Sequence, residues 1–197
     1  MPFCICWANE NWTLRWDGLE SEILIEQIHS PENDINFITD LELYFRDPRY
    51  IRIDGKPILI MYRAAILPDP KATTERWRAS CKELGIGDIF IIAAQTFGFL
   101  DPREYGFDGA VEFPPHTMGD CNEMTYWKTI LNPRFSGTIW DYENYVKSKT
   151  YLGKVPYLLF KGIIPRWDNT PRKPNNPSIY HGSNPLLYKE WLLDLMS

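Results

Sequence analysis

The sequence carries little positive charge and contains no long apolar run. Its 21 Lys and Arg residues are outnumbered by 26 Asp and Glu residues, which gives a net charge of −5 and a pI near 5.3. Nucleic-acid-binding proteins need a basic stripe, so we expect no nucleic acid partner. No stretch approaches the about 20 apolar residues that span a bilayer. Because no basic region precedes an apolar segment at the N-terminus, we expect neither a signal peptide nor a transmembrane segment.

Cysteine is scarce, and its spacing gives no metal-binding pattern. Cys4, Cys6, Cys81 and Cys121 form no CxxC pair, and four cysteines are too few for a secreted disulfide scaffold of this length. We therefore expect core thiols, a reducing cytoplasmic setting and no bound metal. The sequence also has no GxGxxG, no P-loop, no convincing DxD pattern and no internal repeat. We accordingly predict that the chain needs no cofactor.

Aromatic residues are abundant, and many of them lie beside polar residues. Phe, Trp and Tyr make up 15% of the chain. The densest cluster follows the apolar run 3–7, which is typical of a buried strand. Flat aromatic faces can cover the C–H side of a pyranose while fixed donors and acceptors pair with its hydroxyl groups, so the cluster suggests a sugar site. Its members are Trp7, Asn9, Glu10, Asn11, Trp12, Arg15, Trp16 and Asp17.

Hydrophobic periodicity predicts an α/β fold. Short apolar strands alternate with helices, an order that is typical of right-handed crossovers and a parallel sheet. The predicted strands are residues 3–7, 57–62, 89–94, 107–111 and 155–160, and the predicted helices are residues 34–45, 72–84, 142–149 and 185–195. Residues 117–136 are polar and irregular in pattern, so we expect a long loop over the site.

Polar residues follow all of the predicted strands, which favours a (β/α)8 TIM barrel over an open doubly wound sheet. A closed barrel needs eight strands and typically about 250 residues, so five strands cannot close one. We therefore predict a single domain over residues 1–197 that forms an incomplete barrel of about five β/α units, without N-terminal strands and the last strand. The unpaired sheet edges of such a domain invite self-association.

Carboxylates near the ends of the predicted strands are the candidates for catalysis. Glycosyl chemistry uses two carboxylates, about 5–5.5 Å apart for retention and about 6.5–9.5 Å apart for inversion. Glu10 and Glu112 are the candidate catalytic pair, and Asp17 and Asp168 are further candidates. Glu112 lies between two apolar residues, where an unpaired carboxylate would be costly. Glu10 could instead be the ion-pair partner of Arg15.

Other polar residues near strand ends are candidates for substrate binding, and each has a structural alternative. Arg63 could pair with a carboxylate of the barrel, or it could bind a phosphate through two donors. Asp168 could hold its own loop through an Asx turn. His116 could be an exposed loop residue, or it could donate to a sugar hydroxyl or a phosphate.

Five motifs, spread from end to end of the chain, carry a family resemblance. They are residues 3–12 (FCICWANENW), 15–18 (RWDG), 54–57 (DGKP), 107–116 (FDGAVEFPPH) and 167–172 (WDNTPR). They resemble the WbsX-like glycosyltransferase family, whose domain is related to glycoside hydrolase family 99. The resemblance implies a (β/α)8 barrel that acts in bacterial surface polysaccharide biosynthesis, such as O-antigen of lipopolysaccharide or capsule. Its partners would be an activated sugar and a glycan acceptor in the cytoplasm.

Departures from the family pattern bear on catalysis. Family members have two further strand segments before residues 3–7 and a later segment of the type Asn-Glu-Trp-Ala-Glu-Gly, whose paired carboxylates this chain does not contain. If those later carboxylates are the catalytic pair, the resemblance implies that Glu10 and Glu112 bind sugar. A glycosyltransferase, an endo-acting glycoside hydrolase of the family 99-like type and a non-catalytic sugar-binding barrel fragment all stay open. The residues expected to bind substrate are Trp7, Asn9, Trp12, Arg63, His116, Trp167 and Asp168.

Overall fold

The computed structural model describes residues 1–14, 19–99, 101–118, 123–124 and 130–197. The chain forms two compact units. The first comprises Met1–Asn11, Glu26–Glu112 and Val155–Phe160, and the second comprises Trp12–Ile25, Phe113–Lys154 and Lys161–Ser197. Four residues named above lie outside the described residues, namely Arg15, Trp16, Asp17 and Cys121.

Short strands and four α-helices make up the regular structure of the described residues. The strands are β1 (Ile5–Trp7), β2 (Trp12–Leu14), β3 (Leu19–Ile25), β4 (Arg52–Ile53), β5 (Lys56–Met61), β6 (Phe90–Gln95), β7 (Gly109–Glu112), β8 (Thr138–Asp141), β9 (Leu159–Phe160), β10 (Trp167–Asp168) and β11 (Ser178–His181). The helices are α1 (Pro31–Phe45), α2 (Pro70–Glu83), α3 (Tyr142–Ser148) and α4 (Pro185–Met196), and short 3-10 turns cover Ala64–Ile66, Arg103–Tyr105 and Thr150–Leu152.

The first unit is built on a parallel sheet with the strand order β1-β5-β6-β7-β9. All four neighbouring pairs are parallel, and β4 adds an antiparallel hairpin partner to β5. Each predicted strand contributes one strand of this sheet, in chain order. The α/β class and the parallel sheet are therefore confirmed. In parallel strands the carboxyl ends lie at the same end of the sheet, so the polar residues after β1, β5, β6 and β7 lie along that end.

The core of the first unit lies between this sheet and two helices. Leu59 and Met61 on β5 and Ile91 on β6 are fully buried, because alternate residues of a strand face the same side. They belong to one cluster with Phe45 of α1 and Trp77 of α2. This packing makes the strands rigid supports for the residues that follow them.

Capping residues set where the first two helices begin. The Oγ of Ser30 accepts the backbone N–H of Asn33 at 3.1 Å, so α1 begins at Pro31, three residues before the predicted start. A proline suits the first turn because it has no N–H to satisfy there. Asp69 and Pro70 start α2 in the same way. Within the described ranges, no helix combines the length and the apolar character that a bilayer span requires.

The second unit contains a small sheet, a hairpin and two helices. β10, β11 and β8 form one sheet, and β2 and β3 form an antiparallel hairpin. Aromatic residues dominate its core, where Trp191 of α4 packs against Tyr142, Tyr145 and Tyr151. The described part of residues 117–136 contains no helix, and its one strand-like contact is a bridge between Glu123 and Trp140.

Candidate functional site

A buried amide joins the ends of β1 and β5. The Oδ1 of Asn9 accepts the backbone N–H of Arg63 at 2.9 Å, and its Nδ2 donates to the Arg63 carbonyl at 2.9 Å. The N–H of Tyr62 donates to the carbonyl of Trp7 at 3.0 Å just before these contacts. Asn9, at 0% exposure, therefore extends the strand pairing with its side chain and fixes the backbone of Arg63. Its direct contact with substrate stays a prediction.

Arg63 and Glu10 form an ion pair at this sheet edge. The distance from Nη1 of Arg63 to Oε1 of Glu10 is 2.6 Å, and the two side chains are 26% and 16% exposed. Of the two alternatives for Arg63, pairing with a carboxylate is the one present, and binding of a phosphate stays a prediction. Separating such a partly buried pair would leave each charge uncompensated, which is unfavourable. The ion pair therefore holds both side chains in place.

An aromatic residue that the sequence analysis did not select lies against this ion pair. The guanidinium carbon of Arg63 lies 4.1 Å from the ring centroid of Phe97, just after β6. Phe97 has a positive φ of 51°, which is unusual for a bulky residue. The sequence analysis predicted a strand over residues 89–94 but did not select Phe97 among the residues that follow it. The available signal was the aromatic residue followed by a glycine at a strand end.

Glu112, the second candidate for catalysis, ends β7 opposite Gln95 of β6. The Nε2 of Gln95 donates to the hydroxyl of Tyr157 at 2.9 Å, so this part of the sheet edge is also polar. In the strand order β1 and β7 are separated by β5 and β6. At about 4.8 Å per strand, the axes of β1 and β7 are about 14 Å apart. The strand that precedes Glu10 and the strand that ends in Glu112 are thus not neighbours.

Trp7 belongs to the aromatic packing of the first unit. Its ring stacks on Phe37 with centroids 4.2 Å apart, and it lies 5.9 Å from Trp77. It also lines a cavity of about 360 Å³ together with His29 and Asp34. Asp34 is paired with an arginine of α2 at 2.7 Å. The predicted sugar contact of Trp7 would therefore have to be made from this cavity.

Trp12 and His116 are exposed residues of the second unit. Trp12 begins the hairpin strand β2, and its side chain is among the most exposed large apolar groups. The backbone N–H of His116 donates to the carbonyl of Phe113 at 2.9 Å, and the rings of these two residues are 6.5 Å apart. Both side chains are accessible, and their substrate contacts stay predictions.

Trp167 and Asp168 form the short strand β10. The carboxylate of Asp168 accepts the hydroxyl of Thr170 at 2.5 Å and its backbone N–H at 2.9 Å. These hydrogen bonds lower the pKa of Asp168, and they form the Asx turn that was its structural alternative. Trp167, Asp168 and His181 line a cavity of about 380 Å³ within the second unit. The buried Nε1 of Trp167 has no partner among the described residues.

The thiols and acidic groups of the described residues give no metal centre. No group of three or more His, Cys, Asp or Glu side chains in the described ranges could hold a metal ion. Cys81 is fully buried, and burial raises its pKa to about 12. Its thiol is therefore protonated at neutral pH and serves packing rather than nucleophilic chemistry.

Comparison with solved structures supports a glycoside hydrolase-like fold. A structure described as a glycoside hydrolase-like protein superposes with a TM-score of 0.52 at 21% sequence identity. The superposition covers 81% of this chain and 45% of the other chain. At this identity the likeness concerns the fold alone.

Comparison with curated sequences and family models places the chain among bacterial relatives. The uncharacterized protein WxcX of Xanthomonas campestris pv. campestris, from strains B100 and ATCC 33913, is 41% identical over 192 residues. The match covers 98% of this chain, but the chain spans only 28% of the length of these relatives. The family model for glycosyltransferase WbsX matches residues 1–197. The chain belongs to the WbsX glycosyltransferase family.

Proposed function

We propose that this chain is a carbohydrate-active domain that transfers glycosyl groups during assembly of a bacterial surface polysaccharide, such as O-antigen of lipopolysaccharide or capsule. The observation that carries the proposal is the match of the WbsX glycosyltransferase model to all 197 residues. The substrates would be an activated sugar and a glycan acceptor, and the reaction would take place in the cytoplasm, where activated sugars are made. No nucleic acid partner is part of the proposal.

We further propose that residues 1–197 form one domain of the (β/α)8 type. Parallel strands in chain order, with α1 and α2 packed on the sheet, support this architecture. The fold likeness to a glycoside hydrolase-like protein supports it as well. In such a barrel the substrate binds at the carboxyl ends of the strands.

The sugar would meet the ion pair of Glu10 and Arg63. Arg63 supplies donors and Glu10 supplies acceptors, which are the groups that pair with vicinal sugar hydroxyls. Both side chains are only partly exposed, so they are held in fixed orientations. Asn9 would act as a positioning residue, because both atoms of its amide bind the backbone of Arg63.

Glu10 and Glu112 would bind substrate rather than act as a catalytic pair. β5 and β6 lie between the strands next to Glu10 and Glu112, and Glu10 is already engaged in an ion pair with Arg63. The longer relatives have room for further carboxylates, because this chain spans 28% of their length. Within their own units, Trp7, Trp12, His116, Trp167 and Asp168 would supply further substrate contacts.

A glycoside hydrolase is the second candidate function. The observation that favours it is the fold likeness to a glycoside hydrolase-like protein, with a TM-score of 0.52. A hydrolase would transfer the glycosyl group to water and would need no nucleotide. The two functions therefore differ in the donor that the protein recognises.

Turnover of activated sugars tests the proposed function. The chain is incubated with UDP-, GDP- and dTDP-sugars, with and without a lipopolysaccharide acceptor, and nucleotide release is measured. A transferase should release nucleotide in an acceptor-dependent manner. Hydrolysis of glycan substrates without nucleotide release would favour the second candidate, and sugar binding without turnover would indicate a binding fragment.

A further inference from the structure

Phe97 is held in an exposed, strained position by the residues around it. On one side the buried Thr96 donates from Oγ1 to the Tyr62 carbonyl at 2.7 Å. On the other side the backbone N–H of the buried Phe99 donates to the Thr96 carbonyl at 3.0 Å. The residue Phe97 is nevertheless 54% exposed, at a φ of 51°. An aromatic side chain in the left-handed region is costly, and such strain is concentrated at functional sites.

The exposed ring lies beside hydrogen-bonding groups that are already fixed. The Arg63 guanidinium lies 4.1 Å from the ring centroid, and its Nη1 is 2.6 Å from Glu10. Among the described residues, Nε and Nη2 of Arg63 donate to no acceptor. A carboxylate can accept from several donors at once. Within a short distance the sheet edge therefore offers an apolar surface, N–H donors and a carboxylate acceptor.

This combination fits a neutral sugar ring better than an anion. A phosphate or a uronate carboxylate at Arg63 would lie close to the negative charge of Glu10. A neutral pyranose would place C–H groups on the exposed part of the ring that the guanidinium does not cover, and its hydroxyl groups would exchange hydrogen bonds with the ion pair. We propose that Phe97, with Arg63 and Glu10, forms the subsite for a neutral pyranose, and that Phe97 is its aromatic platform. This inference rests on the proposed function and names the kind of sugar that the sheet edge takes.

Substitution of Phe97 separates a binding role from a structural one. Phe97→Asn removes the ring and introduces a residue that tolerates a positive φ. Phe97→Tyr keeps the aromatic face. Tyr44→Asn is the matched control, since Tyr44 is an exposed aromatic residue of α1, 46% exposed, in the same unit. The probes are the methyl pyranosides of glucose, mannose and galactose, together with inorganic phosphate.

Binding is followed by saturation-transfer NMR and calorimetry, and Tm is measured for every variant. We expect at least one methyl pyranoside to bind, and Phe97→Asn to weaken it by about tenfold. Phe97→Tyr and Tyr44→Asn should bind as the parent does. The Tm of Phe97→Asn should stay level or rise, because the backbone strain is relieved.

Four outcomes would overturn the inference. Unchanged pyranoside binding in Phe97→Asn would remove Phe97 from the subsite, as would a fall in Tm that accounts for the lost binding. Binding of phosphate without any pyranoside would assign the cluster to an anion. A parent chain that binds neither probe would exclude the subsite altogether. In all of these cases the acceptor-dependent release of nucleotide would still decide the proposed function separately.

Discussion

Single buried hydrogen bonds decide how the candidate site is presented. A parallel strand normally ends with unpaired backbone groups, and here one amide satisfies two of them. Asn9 binds both the N–H and the carbonyl of Arg63, which fixes the backbone of Arg63. From this fixed backbone the side chain of Arg63 extends to Glu10. A polar residue that looks like a ligand contact in the sequence can thus be a support for the residue that makes the contact.

Replacement of Asn9 by alanine should destabilise the first unit. The change leaves two backbone groups of Arg63 without partners in a buried place, which costs about 2 kcal/mol in the free energy of unfolding. Urea denaturation measures this loss. Asn36→Ala is the control, because Asn36 is an exposed residue of α1, and it should change the free energy by less than about 0.5 kcal/mol. Equal effects of both substitutions would contradict the role given to Asn9.

Because of Asp88, the free energy of unfolding should depend on pH in the acid range. Burial acts to raise its pKa, but hydrogen bonds from Lys56 and Arg78 outweigh burial and lower the pKa to about 2. Because the folded pKa lies below the unfolded value, the stabilisation is complete above about pH 4 and is lost as the pH falls through about 2. The side chain is 31% exposed, so after solvent screening we expect about 1 kcal/mol.

The Asp88→Asn variant tests this contribution by denaturation at pH 7 and at pH 2.5. It should be less stable than the parent at pH 7 and should lose less stability on acidification. Asp40→Asn, at an exposed position of α1, serves as the control and should follow the parent at both values. If the free energy of unfolding changed equally with pH in the parent and in the Asp88→Asn variant, the ion pairs of Asp88 would contribute nothing to stability.

Strands that are buried as apolar runs were predictable, whereas strands of mixed polarity were not. Residues 57–62 and 89–94 correspond to β5 and β6, because continuous apolar runs suit a sheet covered by helices. β8 and β11 each pair with a segment that is distant in the chain. All residues of β8 are partly buried, and β11 has two partly buried residues followed by one buried and one exposed residue, so no alternation marks them. The start of α1 was missed because the cap, Ser30, precedes the apolar pattern.

The two outermost strands of the parallel sheet should govern self-association. The strand order of the parallel sheet ends at β1 and β9, and an edge strand pairs readily with another chain unless a charge interrupts it. Cys6 is the exposed residue of β1. The parent chain should therefore show concentration-dependent association in sedimentation velocity experiments, and Cys6→Lys should reduce it.

Cys6→Ser is the control for this prediction. It removes the thiol, and thus any disulfide between copies, without adding a charge, so its association should match that of the reduced parent. A parent chain that sediments as a compact monomer at all concentrations would contradict the presence of open edges.

For the whole molecule, the sequence motifs led to the family, and the structure supplied the partners of individual residues. The WbsX match over residues 1–197 agrees with the predicted resemblance. The candidate residues Glu10 and Arg63 were identified as strand-end residues, but their pairing joins positions 53 residues apart, which no local pattern reveals. Phe97 was missed because its exposure depends on the turn after β6, and a positive φ is not expected for phenylalanine.

A crystal structure of the chain with a bound activated sugar would locate the substrate. We predict that the sugar ring lies at the carboxyl ends of β1, β5 and β6, with hydroxyl oxygens within hydrogen-bond distance of Arg63 and Glu10. A sugar bound elsewhere on the molecule, with the Glu10–Arg63 pair untouched, would contradict it.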